Sequence, residues 1–194
     1  MDLDRAHIPI EELKQSKIFH TEGYLIGEPG GLKDACLHAM DIAKKNGVMV
    51  SLDLSDANIV RNNKEEIKEI IKKYVDIVFA NEDEAYALTG EDPLDAVDII
   101  KETCTIAIVK MGKEGSVLET DEEVLTIGAY PTTEIDTTGA GDSYAAAVLY
   151  GIARNIPLRN AANLGSYIAS QVVSQIGARL ETIDTEMVGK ILAE

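Results

Sequence analysis

A chain of 194 residues with 45% hydrophobic and 27% charged residues has enough apolar material for one sizeable core, which excludes wholesale disorder. Its 34 acidic and 18 basic residues give a formal net charge of -16, which repels phosphate backbones and acidic membrane surfaces, so neither nucleic acid nor membrane is an expected partner. No apolar run approaches the roughly 18 residues of a bilayer span, and the charged start Met1-Asp2-Leu3-Asp4-Arg5 lacks a signal-peptide core. Cys36 and Cys104 form no CxxC, and His7, His20 and His38 show no metal-ligand spacing. A cytoplasmic protein with two reduced thiols and no zinc site is expected.

The apolar pattern alternates between short β-type runs and longer helical ones. Residues 17–24 (KIFHTEGY) predict a strand, followed by a break at Gly27, Pro29 and Gly30. Leu32, Ala35, Cys36, Ala39, Met40 and Ala43 recur at helical spacing until Asn46-Gly47 stops them. Residues 48–54 predict a strand buried on both faces, and Ile67, Ile70, Ile71 and Tyr74 mark the next helix. Residues 75–80 predict a strand, 81–88 and 93–102 two short helices, and 105–110 a further strand. Such β-α-β alternation is the signature of a parallel sheet with right-handed crossovers. Residues 116–120 and 122–126 then predict an antiparallel hairpin, and beyond Asp136 come helices over 139–154, 158–175 and after Asp184. With no repeat and no linker, one α/β domain over 1–194 is expected.

The segment Asp136-Thr137-Thr138-Gly139-Ala140-Gly141-Asp142-Ser143-Tyr144 lies between an extended stretch and a helix with apolar face Tyr144, Ala147, Val148, Gly151 and Ile152. Gly139, Ala140 and Gly141 carry almost no side chain, so their amides can approach a ligand closely. A helix N-terminus adds unpaired N–H donors and a positive dipole end, which together suit an anion. Asp142 in the first turn has two readings. It stabilises the helix dipole, or it orients and deprotonates an alcohol while the amides hold a migrating phosphoryl group. The segment has no GKS or GKT ending, so it is not a Walker A loop.

DTTGAGDSY resembles the C-terminal signature D-T-x-G-A-G-D-x-F of the ribokinase-like, or PfkB, family of sugar and nucleoside kinases. Eight of nine positions agree, with Tyr144 standing where the pattern has Phe. Asn81-Glu82-Asp83-Glu84 resembles the family's N-x-x-E motif. That resemblance implies Asn81 facing nucleotide phosphate and Glu84 holding magnesium through water; a helix start capped by Asn81 is the plain alternative. Residues 110–115 (KMGKEG) resemble the T-x-G-x-x-G nucleotide turn, with Gly112 and Gly115 kept and Lys110 replacing Thr; an ordinary glycine turn is the alternative. Asn163-Leu164-Gly165-Ser166 is similar to a helix lining the adenine pocket, with Ser166 at a position often Asn or His; a polar residue on a half-buried helix is the alternative. Asp136, Thr138 and Gly177 fall where some members bind a monovalent cation such as potassium.

The resemblance runs from about Ile18 to Leu180 and implies a three-layer ribokinase-like, Rossmann-like α/β fold, mostly parallel with an antiparallel hairpin at one edge. It matches the C-terminal part only. The family's N-terminal strands, sugar-binding segment and lid have no counterpart, so an N-terminally truncated nucleotide-binding part is expected. EGY at 22–24, LSD at 54–56, FANEDEA and SQIGAR look most like the bacterial adenosine-kinase-like branch. Ser55 and Asp56 follow a parallel strand, where ligands bind in open α/β sheets, or they serve as a turn and a helix cap. The implied activity is ATP- and magnesium-dependent phosphorylation of a sugar or nucleoside hydroxyl. Asp142 would be the base and Gly139 to Gly141 the anion hole, in concert with a separate N-terminal half or a homo-oligomer. The competing expectation is a non-catalytic nucleotide-binding or structural remnant.

Overall fold

The computed structural model describes residues 4–27 and 29–193, so the start at residues 1–3 lies outside the described residues. The elements are α1 (Ile10–Gln15), β1 (Ile18–Glu22), α2 (Gly23–Gly27), α3 (Gly31–Lys45), β2 (Met49–Asp53), α4 (Ala57–Asn62) and α5 (Lys64–Tyr74). Next come β3 (Ile77–Asn81), α6 (Glu82–Thr89), α7 (Pro93–Lys101), β4 (Ile106–Lys110), β5 (Ser116–Glu119) and β6 (Val124–Ile127). Three helices close the chain: α8 (Ala140–Ala153), α9 (Leu158–Val173) and α10 (Thr185–Ala193). The six strands form one sheet in the order β1-β2-β3-β4-β5-β6, mostly parallel with an antiparallel hairpin, as expected of the α/β class.

The chain divides into two compact units, one running to Val109 and taking in Val117–Val124, the other made of Lys110–Ser116 and everything from Leu125. In the first unit β1 and β2 pair in parallel from Ile18↔Met49 to Glu22↔Asp53, and β2 and β3 from Ser51↔Ile77 to Asp53↔Phe79. Val50, Ser51, Leu52 and Ile77 to Ala80 are wholly or almost wholly buried, as continuous apolar runs in a parallel sheet require. Asp76 pins the N-terminal edge. Its carboxylate accepts from the Val50 amide at 2.8 Å and from Lys44 Nζ at 2.6 Å, and its carbonyl accepts from the Thr105 and Ile106 amides, each at 2.9 Å.

One predicted strand ends early. Residues 23–24 belong to α2 rather than to β1, because the backbone at Gly23 passes against the end of β2. A Cβ there would lie 2.2 Å from the Leu54 carbonyl oxygen. The second hairpin strand starts at Val124 instead of Glu122, because residues 120–123 form the turn: Thr120 N donates to Glu123 O at 3.0 Å, and Thr120 Oγ1 accepts from the Glu122 and Glu123 amides. Helices α1 and α4 were not legible in the apolar pattern. Each is only six residues long, under two turns.

In the second unit α8 and α9 cross closely, because Gly151 admits Ala161 where a side chain would not. Helix α10 packs Ile191, Met187, Val188 and Leu192 onto Ala147, Leu164 and Tyr167, with Tyr130 set edge-on to Tyr167 at 5.5 Å. A Cβ on Gly151 would stand 2.3 Å from Ala161 Cβ, whereas one on exposed Gly189, inside α10, meets nothing within 4 Å. Gly151→Ala is therefore expected to destabilise by about 1–3 kcal/mol through overpacking. Gly189→Ala should stabilise by about 0.5–1 kcal/mol through helix propensity. Urea midpoints at unchanged slope check both signs.

Candidate active site

Helix α8 begins where the sequence pattern places it. Gly139 is the N-cap residue, at φ +78°, and a Cβ there would fall 2.6 Å from both the Cβ and the carbonyl oxygen of Ala178. Only glycine fits so close an approach in the left-handed region. Asp136 holds the facing loop. Its Oδ2 accepts from the Gly177 amide at 3.0 Å and its Oδ1 from the Thr138 amide at 2.9 Å. Within the first turn, Ala140 N donates to Thr137 O at 3.2 Å and Ser143 N to Gly139 O at 2.9 Å. The amides of Gly141 and Asp142 thus stand at helix positions that have no acceptor within the helix. Of the predicted anion hole, the Ala140 donor is engaged by the turn itself. Asp142 is exposed in the first turn of α8.

The second unit contains a cavity of about 520 Å³, and α8 forms one wall of it through Ala140, Gly141 and Tyr144. Lys110, Gly112, Lys113 and Gly115 form a second wall, Ala129 to Thr132 with Glu134 and Thr137 a third, and α9 a fourth through Ser166, Ala169, Ser170 and Val173. Four predicted nucleotide residues, Lys110, Gly112, Gly115 and Ser166, therefore meet at one cavity together with Ala140 and Gly141. Thr138 is exposed, and its amide is bound to Asp136. Gly112 and Gly115 have φ of +53° and +96°, and a Cβ on Gly115 would collide with Ile127 O at 1.9 Å, so this turn demands glycine. Lys110 Nζ lies 3.2 Å from where a Cβ on Gly141 would sit, which places its ammonium over the first turn of α8. Ser166 is buried and donates to Gly128 O at 2.8 Å, fixing α9 against the third wall. Sequence reasoning missed Ala169, Ser170 and Val173. They follow Ser166 at three, four and seven residues, so helical spacing from Ser166 would have found them. Tyr130 sits in an irregular segment with no periodicity to betray it.

In the first unit Asn81 and Glu84 form a reciprocal capping box. Asn81 Oδ1 accepts from the Glu84 amide at 2.9 Å, while the buried Glu84 carboxylate accepts from Asn81 N and Nδ2, both at 2.8 Å. The capping alternative thus describes the observed geometry. Among the described residues no three His, Cys, Asp or Glu side chains converge to hold a metal ion. Each Glu84 carboxylate oxygen accepts one bond from Asn81, so the box engages both. Asp136, Thr138 and Gly177 are brought together, but by amide-to-carboxylate bonds that already engage both Asp136 oxygens. Ser55 and Asp56 take the turn and cap roles. Ser55, at φ +67°, accepts from the Gly23 amide at 2.9 Å through Oγ, and Asp56 Oδ1 caps α4 at the Asn58 and Ile59 amides.

The Gly177 amide, followed by the Thr138 hydroxyl and amide, holds the Asp136 carboxyl down to about 2. A depressed carboxyl stabilises fully above its unfolded value, near 3.9, and that contribution fades as pH falls through the folded value. The Gly177 amide resonance should therefore titrate with a midpoint near 2, not near 4. Asp136→Asn should speed exchange of that amide at pH 5. Two-dimensional NMR with hydrogen exchange checks both.

The chain matches the model of the pfkB family carbohydrate kinases over residues 1–185. A 5-dehydro-2-deoxygluconokinase of Listeria innocua is 29% identical over 181 residues, covering 89% of this chain and 55% of that protein. Adenosine kinase from Sinorhizobium meliloti superposes with a TM-score of 0.91 at 35% identity, over 97% of this chain and 58% of that one. A probable sugar kinase from Rhizobium etli CFN 42 does so with the same score at 33% identity, over 97% and 58%. A putative ribokinase II from E. coli, solved in complex with ATP and magnesium, shares the fold with a TM-score of 0.85 at 22% identity, over 98% and 63%. The chain spans about half the length of the curated relatives it matches. No helix among the described residues is long and apolar enough to cross a membrane. A family match over nearly the whole chain, together with glycine turns and a helix N-terminus gathered at one cavity, means that this chain belongs to the pfkB family of carbohydrate kinases.

Proposed function

We propose that this chain is the nucleotide-binding part of an ATP-dependent phosphotransferase that moves the γ-phosphoryl group to a hydroxyl of a sugar or nucleoside, within a larger or split cytoplasmic enzyme. The observation that carries this reading is the cavity itself. The first turn of α8, the 112–115 turn and Ser166 line one space, and Asp142 follows Gly141 directly in the chain. The Gly141 and Asp142 amides sit at the positive end of a 14-residue helix, where they favour the negative charge of phosphate oxygens. Lys110 brings an ammonium to the same turn, a point charge in place of the hydroxyl that threonine would offer.

Asp142 is the general base. An exposed carboxylate in the first turn accepts the proton of an acceptor hydroxyl and holds its oxygen toward the phosphoryl group. Glu84, with Asn81, would hold magnesium through water, and the ion would supply charge neutralisation. The protein's charge of -16 makes such neutralisation more necessary for a polyphosphate to approach. Residues beyond this chain, in a separate N-terminal half or a second copy, would exclude water and recognise the acceptor.

Transfer from ATP to adenosine, ribose and 5-dehydro-2-deoxygluconate, assayed for the chain alone and joined to an N-terminal half, tests the reading. Activity is expected in the joined form. ATP binding without transfer in any form would support the non-catalytic module instead. In an active assembly, Asp142→Asn should slow transfer by about 10²–10⁴-fold. Asparagine keeps the size, and losing one carboxylate charge from an exposed first turn costs about 1 kcal/mol at most, so the melting temperature should stay within a few degrees, and nucleotide affinity should hold or rise. Undiminished transfer by that variant rules Asp142 out as the base.

A further inference from the structure

Two buried hydroxyls join the α8 wall of the cavity to the strand that follows the 112–115 turn. Tyr144 Oη lies 2.7 Å from Ser116 Oγ, and the two residues are 5% and 0% exposed. Tyr144 is one helical turn beyond Gly141, on the α8 wall, and Ser116 is the next residue after Gly115. The pair is therefore a short and stiff connection between the α8 wall and the 112–115 wall. One turn of helix lies on one side of it and one peptide bond on the other.

The ring is positioned as tightly as its hydroxyl. A Cβ on Gly165 of α9 would stand 3.0 Å from Tyr144 Cδ2 and Cε2, so the ring packs flush on bare main chain while also lining the cavity. Burial pushes the phenol well above its ordinary value, which keeps it an O–H that can donate to or accept from serine. Either oxygen satisfies the other, and among the described residues no buried side-chain nitrogen or oxygen is left without a partner. Relative to the Phe of the signature pattern, the hydroxyl is an added polar atom placed in a buried site. Its retention there needs the serine opposite.

We infer that the Tyr144–Ser116 hydroxyl pair is a positioning latch that sets the spacing between the first turn of α8 and the 112–115 turn, and thereby the affinity of the cavity for nucleotide phosphate. The inference rests on the nucleotide reading of that cavity. Removing one hydroxyl leaves the other buried and unsatisfied, whereas removing both leaves neither. Stability and spacing therefore part company. The double variant regains the stability that each single variant loses, but it does not regain the link between the walls.

The experiment uses the full chain as wild type, Tyr144→Phe, Ser116→Ala and the double variant. Melting temperature, calorimetric binding of ATP with magnesium, and amide exchange of the ligand-free protein are read for each. The latch requires each single variant to bind ATP at least about five-fold more weakly, a change of about 1 kcal/mol. It also requires the double variant to recover its melting temperature without recovering affinity. In the ligand-free chain, amides of residues 112–118 and 141–145 should exchange at least ten-fold faster, with those of β2 unchanged. Unaltered affinity in Tyr144→Phe, affinity that recovers together with melting temperature, or exchange that rises uniformly or not at all each overturns the latch. A wild-type chain that takes up no ATP, with selective exchange still observed, overturns the nucleotide reading and leaves the pair as a purely structural bond.

Discussion

At Gly139 the main chain makes a left-handed turn against Ala178 with no space for a methyl group, and helix α8 starts from that point. The contact survives because Asp136 reaches across to the Gly177 amide and back to Thr138, so one carboxylate anchors both sides of the approach. The direction of α8, the exposure of its first amides and the site of Asp142 all follow. A helix end suits an anion only when it is aimed, and here the aim comes from the distant loop at Gly177 and Ala178.

Close approach recurs through the second unit. Gly115 lies on the Ile127 carbonyl and Gly151 on Ala161, at distances that a side chain would forbid, and Gly165 lies on the Tyr144 ring, where a methyl group would force the ring to shift. These contacts gain dispersion energy at the cost of the backbone entropy that glycine loses on folding. They also leave little slack. Walls that touch through bare main chain hold a cavity's dimensions better than walls padded by flexible side chains.

Much of this was legible in the chain because it depends on local pattern. Buried parallel strands read as largely apolar runs at residues 48–54 and 75–80, and the long helices α3, α8 and α9 read through their spacing and stops. The glycine turns announced themselves because only glycine serves there. What stayed hidden depends on partners distant in sequence. The end of β1 is decided by the Leu54 carbonyl, and Asp76 gives no local sign that it ties β2 and β4 to the start of β3. Nor does the spacing of Asn81 and Glu84 distinguish a capping box from a metal approach, since the same two side chains serve for either. Tyr144 and Ser116 are 28 residues apart, and nothing in either neighbourhood points to the other.

Gly165 has a consequence of a different kind. It does not line the cavity, yet the Tyr144 ring stands where it does because α9 carries no side chain at that position. A methyl there would push the ring toward the open space and narrow it, while the lining residues themselves stayed the same. The bore of the cavity is thus governed from behind its wall. Divergence among descendants of this chain in which ligand the cavity admits can accumulate at a helix-packing residue, invisible to any comparison restricted to the groups a ligand touches.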